Sequence, residues 1–143
     1  MADITSPGDA ASAVAASALR AQQARMRIIA ENIANSDSTA STPQGDPYRK
    51  QTPVFTTKTL PGGMKGVAMT GVNVDQSAFR KEYDPGNPAA DADGFVKMPN
   101  VEPMIETLDM REAQRAYDAN LSVIETARAM DSSTLGLLKG IGQ

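Results

Sequence analysis

The chain has 143 residues, enough for one domain of ordinary size, and carries a net charge of −3 with both signs interspersed. It holds no His and no Cys, which removes histidine acid–base catalysis, Ser-His and Cys-His nucleophile pairs, the usual zinc ligand sets and disulfides. Aromatics make up only 4% of it against 41% hydrophobic residues, many of them Ala. At roughly 1.5–3 kcal/mol per large side chain buried, stability has to come from helix packing, in part between chains.

The opening "MADITSPGDA" has Asp3 and Asp9 and no base before Arg20, which is not the charge order of a secretory signal. No window approaches 18 consecutive apolar residues, so no transmembrane helix and no direct membrane insertion are expected. The acidic balance, without a basic stripe, also speaks against a nucleic-acid partner.

Residues 1–35 form the first segment, with a helix expected over about 10–35. Ala11, Ala15, Leu19, Met26, Ile29, Ala30 and Ile33 fall on one stripe, Gln22 interrupts it, and Arg20, Arg27 and Glu31 lie opposite. Asn35, before a run of Ser and Thr, is placed as a left-handed C-cap.

Residues 36–99 form a middle segment that holds most of the prolines and glycines. "YRKQTPVFTTKTL" and "MKGVAMTGVNVDQ" flank "PGG", which predicts two short strands and a turn, with a bulge near Thr70-Gly71. "EYDPGNPAADADGFV" reads as irregular loop.

Residues 100–143 return to helical period. Asn100 is the expected cap, Glu102 suits the helix dipole, Pro103 fits the first turn, and Gly140 is the expected stop. One apolar stripe runs Met110, Ala113, Tyr117, Leu121, Ile124, Leu135, Leu138. A second runs Ile105, Ala116, Val123, Ala127, Met130, Leu137, Ile141. One partner helix covers one stripe, so the other points to contacts between chains. The fold class expected is mainly α: long N- and C-terminal helices paired as a coiled-coil-like hairpin, with a small β-hairpin and irregular middle segment.

Candidate sites for chemistry are weak. In "DADG" at 91–94, a calcium-loop register puts Ala89 and Asn100 where Asp and Glu are needed. "GGMKG" lacks the Lys-Ser/Thr of a phosphate loop. Asp84, Asp91 and Asp93 sit in a Pro/Gly loop with nothing to desolvate a catalytic pair. No enzyme, metal or cofactor is expected. Asn32, Asn35 and Asn120 keep two readings: amides in a packed seam that fix register, or a cap and two surface amides.

Three stretches carry a resemblance. "SALRAQQARMRIIAENIANSDST" resembles the N-terminal helix of the bacterial flagellar rod, hook and hook-associated superfamily, with its Asn-Ile-Ala-Asn run. "MIETLDMREAQRAYDAN" resembles that superfamily's C-terminal helix. "DPYRKQTPVF", "YDPGNPAADADGFVKMPNV" and the short length are similar to its proximal-rod members rather than to the longer distal-rod or hook proteins. Ala18 stands where the family usually has Gly, and Asn87 where His is usual.

The resemblance implies a structural subunit of the basal-body proximal rod, polymerising into the helical drive shaft that carries torque across the periplasm. It implies export by the flagellar type III apparatus without a cleaved signal. The implied partners are further copies, other proximal and distal rod subunits, and the protein joining the rod to the MS ring. On that reading Leu19, Met26, Ile33, Tyr117, Leu121 and Ile124 form the seam within the chain, joined by the three asparagines. Val123, Met130, Leu137 and Ile141 face neighbouring subunits. The alternatives are another axial family member, or a cytoplasmic coiled-coil adaptor or export chaperone binding helix in groove.

Overall fold

Ser6, Pro7 and Asp9 start the first helix. The Ser6 hydroxyl accepts from the Asp9 backbone N–H at 3.0 Å, Pro7 occupies a position that needs no N–H donor, and Asp9 meets the positive end of the dipole. In the computed structural model, which describes residues 6–142, this helix, α1, runs Pro7–Ala34. It begins three residues before the expected start because the Ser-Pro signal outweighs the later onset of apolar spacing. The beginning of the leader, Asp3 included, lies outside the described residues.

The middle segment supplies four strands. β1 (Gln51–Thr59) and β2 (Lys65–Val74) pair around a 3-10 turn at Pro61–Gly63, where Gly62 and Gly63 take φ of 83° and 79°. Positive φ without a Cβ penalty is what the Pro-Gly-Gly turn needs. β2 is continuous from buried Gly66 to exposed Val72 and Val74. The stretch expected to be irregular, 82–96, is so between residues 84 and 94, but its ends belong to a second antiparallel pair, β3 (Arg80–Tyr83) with β4 (Phe95–Met98), in register Arg80 with Met98 through Tyr83 with Phe95. The Pro/Gly composition describes only the connection between them. Gly94 closes it at φ 82°, where a Cβ would lie 2.8 Å from Tyr83 Cε2.

The last helix, α2, spans Pro103–Ile141 and runs through Gly136 and Gly140. The expectation for Asn100 is overturned. Its side chain does not cap α2: Oδ1 accepts from the Lys50 N–H at 2.7 Å, and Nδ2 donates to the Asp75 carbonyl at 3.1 Å and to Ser77 Oγ at 3.0 Å. Asn100 thus closes the base of the middle segment, beside the Asp75 N–H to Lys50 carbonyl bond of 2.9 Å.

The chain divides into two compact units, each drawing on both long helices. The first takes residues up to Ala24, Phe55–Thr70 and Ala113 onward; the second takes Arg25–Val54 and Gly71–Glu112. In the first unit α1 and α2 are antiparallel: Ser6 reaches Asp131, while Ala15 shares a groove with Asn120 and Val123. Its buried side chains are small, namely Ala15, Ser17, Ala21, Ala113 and Ala127. The second unit buries larger ones, including Ile28, Ile29, Val96 and Val101.

Candidate assembly surface and its polar anchor

The Asn-Ile-Ala-Asn run ends α1 with two asparagines that do different work. Asn32 is 1% exposed and uses its whole amide. Nδ2 donates to the Gln51 carbonyl at 2.8 Å and to Glu106 Oε2 at 2.9 Å, while Oδ1 accepts from the Gln51 N–H at 2.9 Å and the Tyr48 hydroxyl at 2.9 Å. Two donors and two acceptors are all that an Asn side chain offers. Toward Gln51 the amide imitates a neighbouring strand, so it sets where β1 begins.

Glu106, also 1% exposed, completes the hub from the first turn of α2. Its Oε1 lies 2.6 Å from Lys50 Nζ, a charge contact whose angle makes no directed hydrogen bond. A buried carboxylate needs such a cation, and Lys50 stays partly solvated with its side chain 23% exposed. Burial pushes the Tyr48 phenol up, and the charges of Glu31 and Glu106 act the same way, so Tyr48 remains a neutral donor to Asn32. Arg25 adds a rim contact, 3.6 Å from Glu112 and 3.9 Å from Asp109.

Asn35 lies in the turn beyond α1. Its Nδ2 donates to the Glu31 carbonyl at 2.8 Å and its Oδ1 accepts from Ser38 Oγ at 3.2 Å. The expected left-handed cap is not formed: no described non-glycine residue has positive φ. The side chain reaches the last-turn carbonyl directly, so the backbone does not have to turn left-handed. Asn120 donates to the Ala116 carbonyl at 2.7 Å, within its own helix, and lines the first unit's apolar groove.

The seam candidates Leu19, Met26 and Ile33 are half-buried, as are Tyr117 and Ile124, while Leu121 is 40% exposed. The buried row of α1 through Ala21, Ile28 and Asn32 lies about a third of a turn from the centre of the expected stripe at 100° per residue. That face carries polar side chains with partners in the middle segment, such as Ser17, whose Oγ accepts from the Val67 N–H at 3.1 Å. Arg20, Arg27 and Glu31 are exposed as expected and Ala15 and Ile29 of the stripe are buried, so the buried face is wider than the stripe and its added part is polar in places. Of the intersubunit candidates, Val123 is 46% exposed and Met130 64%, with Leu137 and Ile141 more exposed still.

Glu106, Lys50, Tyr48, Ser17 and Asn100 were not singled out as anchors by the sequence reading. One signal was available for Glu106. Glu106, Met110, Ala113, Tyr117, Asn120, Ile124, Ala127 and Asp131 alternate steps of four and three along α2, and all are buried or half-buried. Among the described residues no cluster of acidic side chains is arranged to hold a metal ion, and no helix is long and apolar enough to cross a membrane.

Comparison with known proteins places these features. Residues 13–40 match the family model described as flagella basal body rod protein, and residues 92–137 match that of the C-terminal part of the flagellar basal body rod FlgEFG proteins. The flagellar basal-body rod protein FlgC of Agrobacterium fabrum is 52% identical over 134 residues, 93% of this chain and 96% of that protein. FlgC of Salmonella typhimurium is 42% identical over 87% of this chain and 92% of its own length. FlgC of Bacillus subtilis is 35% identical over 82% and 89%.

Proposed function

Since the chain belongs to the FlgC family of flagellar basal-body rod proteins and is a structural subunit of the rod, we propose that its two long helices pair as an antiparallel coiled coil and pack into the rod's axial tube. The four–three spacing on α2 supports the pairing, since side chains repeating every 3.5 residues keep one seam facing a partner helix.

One observation carries the assembly reading. Val123, Met130, Leu137 and Ile141 form an exposed apolar row along α2, continued by exposed Leu135 and Leu138 at its end. Exposed apolar surface on that scale is a liability in a free subunit and a driving force in a polymer. Contacts between unlike surfaces that do not close into a ring build a helical assembly. The partners in this reading are other copies and other proximal and distal rod subunits, with the rod–MS-ring junction protein at one end. Delivery is by the flagellar type III apparatus, and the site of work is the periplasmic part of the basal body.

Removing residues 135–143 tests this. It deletes most of the exposed row and leaves the Asn32 hub intact. Export is expected to continue while incorporation into purified basal bodies and motility are lost. Normal recovery of the truncated chain in intact basal bodies would refute the role of the row.

A further inference from the structure

Two surfaces of the molecule are opposite in charge, and among the described residues neither has its charges paired within the chain. The first is a cleft of about 240 Å³ in the first unit, between α1 and the β1–β2 hairpin. Its floor is apolar, with Leu60, Val67 and Met69, and Arg20 and Lys58 stand beside it. Neither cation has a carboxylate partner among the described residues. The residues of the hairpin that belong to this unit, 55–70, include Lys58 and Lys65 and no acidic residue.

The second surface is the end of the β3–β4 hairpin in the second unit. Tyr83 and Phe95 meet there edge to face, with ring centroids 5.4 Å apart, and yet are 65% and 40% exposed. Edge-to-face pairs of this kind ordinarily belong to cores or interfaces, where their area is removed from water. Around the pair, Glu82, Asp84 and Asp93 are exposed and pair with no cation among the described residues, whereas Asp91 is occupied by Lys81 at 3.8 Å. Gly94 and the Pro85 turn hold this end in shape, since Tyr83 Cε2 fills the space that a Cβ at Gly94 would need.

We infer that the acidic, aromatic end of the β3–β4 hairpin of one subunit docks into the basic, apolar cleft beside Arg20 and Lys58 of another copy. This rests on the rod assignment and adds a second contact to the helical one. Tyr83 supplies a flat apolar body for the cleft and a ring face for the Arg20 guanidinium, and Asp84 supplies a carboxylate for Lys58. A knob and a cleft at separate places on the chain make a heterologous contact, which propagates along a polymer instead of closing a dimer. Opposite charges at its rim fix which subunit face is accepted.

A chain without cysteines permits a direct test. Cells that make both a Lys58→Cys chain and an Asp84→Cys chain are expected to yield disulfide-linked pairs from purified basal bodies after mild oxidation, and cells with either variant alone none. Lys58→Glu or Asp84→Lys alone is expected to lower incorporation about tenfold or more, and the two changes in one chain to restore it. Basal bodies that incorporate both cysteine chains but yield no linked pair overturn the docking and leave the rod assignment standing. The same cysteine result decides the question if a charge reversal weakens the fold. Absence of the unaltered chain from basal bodies overturns the rod assignment and the docking together.

Discussion

The two units are stabilised in opposite ways. The second buries Ile28, Val96 and Val101 and holds a polar hub in which Asn32 uses both donors and both acceptors. The first buries only Ala, Ser and Gly side chains and leaves Met130, Leu135, Leu137, Leu138 and Ile141 at least 60% exposed. Apolar burial stabilises by about 25 cal/mol per Å², so alanines contribute little toward ordering a backbone that costs about 1–2 kcal/mol per residue. One unit thus has what it needs to stand alone, and the other has surface that only a neighbour removes from water. Large exposed side chains over a core of small ones suit a subunit completed by assembly.

The sharpest way to break this contrast is Asn32→Ala. It strands the Gln51 N–H and carbonyl, the Tyr48 hydroxyl and Glu106 Oε2, each costing about 1–3 kcal/mol if buried without a partner. The loss in the second unit is expected to reach about 3–5 kcal/mol, read by denaturant unfolding, whereas Asn35→Ala should cost about 0.5–1.5 kcal/mol. Equal effects would show that the hub does not carry the unit.

Amide exchange on the dilute, isolated subunit compares the units directly. Protection is expected in the second unit, strongest around residues 28–32 and 96–101. Fast exchange is expected in α1 before Ala24 and in α2 beyond Ala113, with protection appearing there in assembled rods. Equal protection of both units in a verified monomer would make the helical hairpin self-sufficient.

Two glycines sharpen the picture inside the first unit. A Cβ on Gly66 would lie 2.7 Å from both Leu60 Cδ1 and Ser17 Oγ, so Gly66→Ala should cost about 1–3 kcal/mol by overpacking the hairpin against α1. Gly136 faces open space, and Gly136→Ala should raise the stability of the last turns of α2 by about 1 kcal/mol or less. Circular dichroism melts of assembled rods measure both, and the signs must be opposite.

The smallest expected effect is on pH dependence, and it falls on the second unit. Asp46 is held below its ordinary 3.8 chiefly by the hydrogen bond from Lys97, Asp75 by the Ser77 backbone N–H, and Asp91 by the Phe95 backbone N–H. A lowered folded-state value means a contribution fully present above 3.8 and lost as the pH falls through the folded value. All three groups are exposed, so only local loosening of the loops at 46–49, 75–77 and 91–97 is expected, beginning below about pH 4. Exchange rates followed down to acid would show it there first.

What was legible in the sequence was whatever local periodicity and turn chemistry determine. The helical spacing gave two long helices, Pro-Gly-Gly gave the turn between β1 and β2, and the surplus of apolar positions on α2 pointed to a row that the chain does not cover. The missing His and Cys excluded most catalytic chemistry. Apolar spacing identified only part of the buried face of α1, Ala15 and Ile29 among it, because the rest is partly polar, and a polar residue counts as inward only when its partner is known. Asn32 is the case in point: its partners are 16, 19 and 74 residues away, and nothing local distinguishes it from Asn35. Tertiary structure also turned Asn100 from a helix cap into a clamp on the middle segment and paired two strands across a loop of prolines and glycines. Those outcomes depend on which distant donor meets which acceptor, and an unpaired polar group costs too much to bury unless the whole fold supplies that meeting.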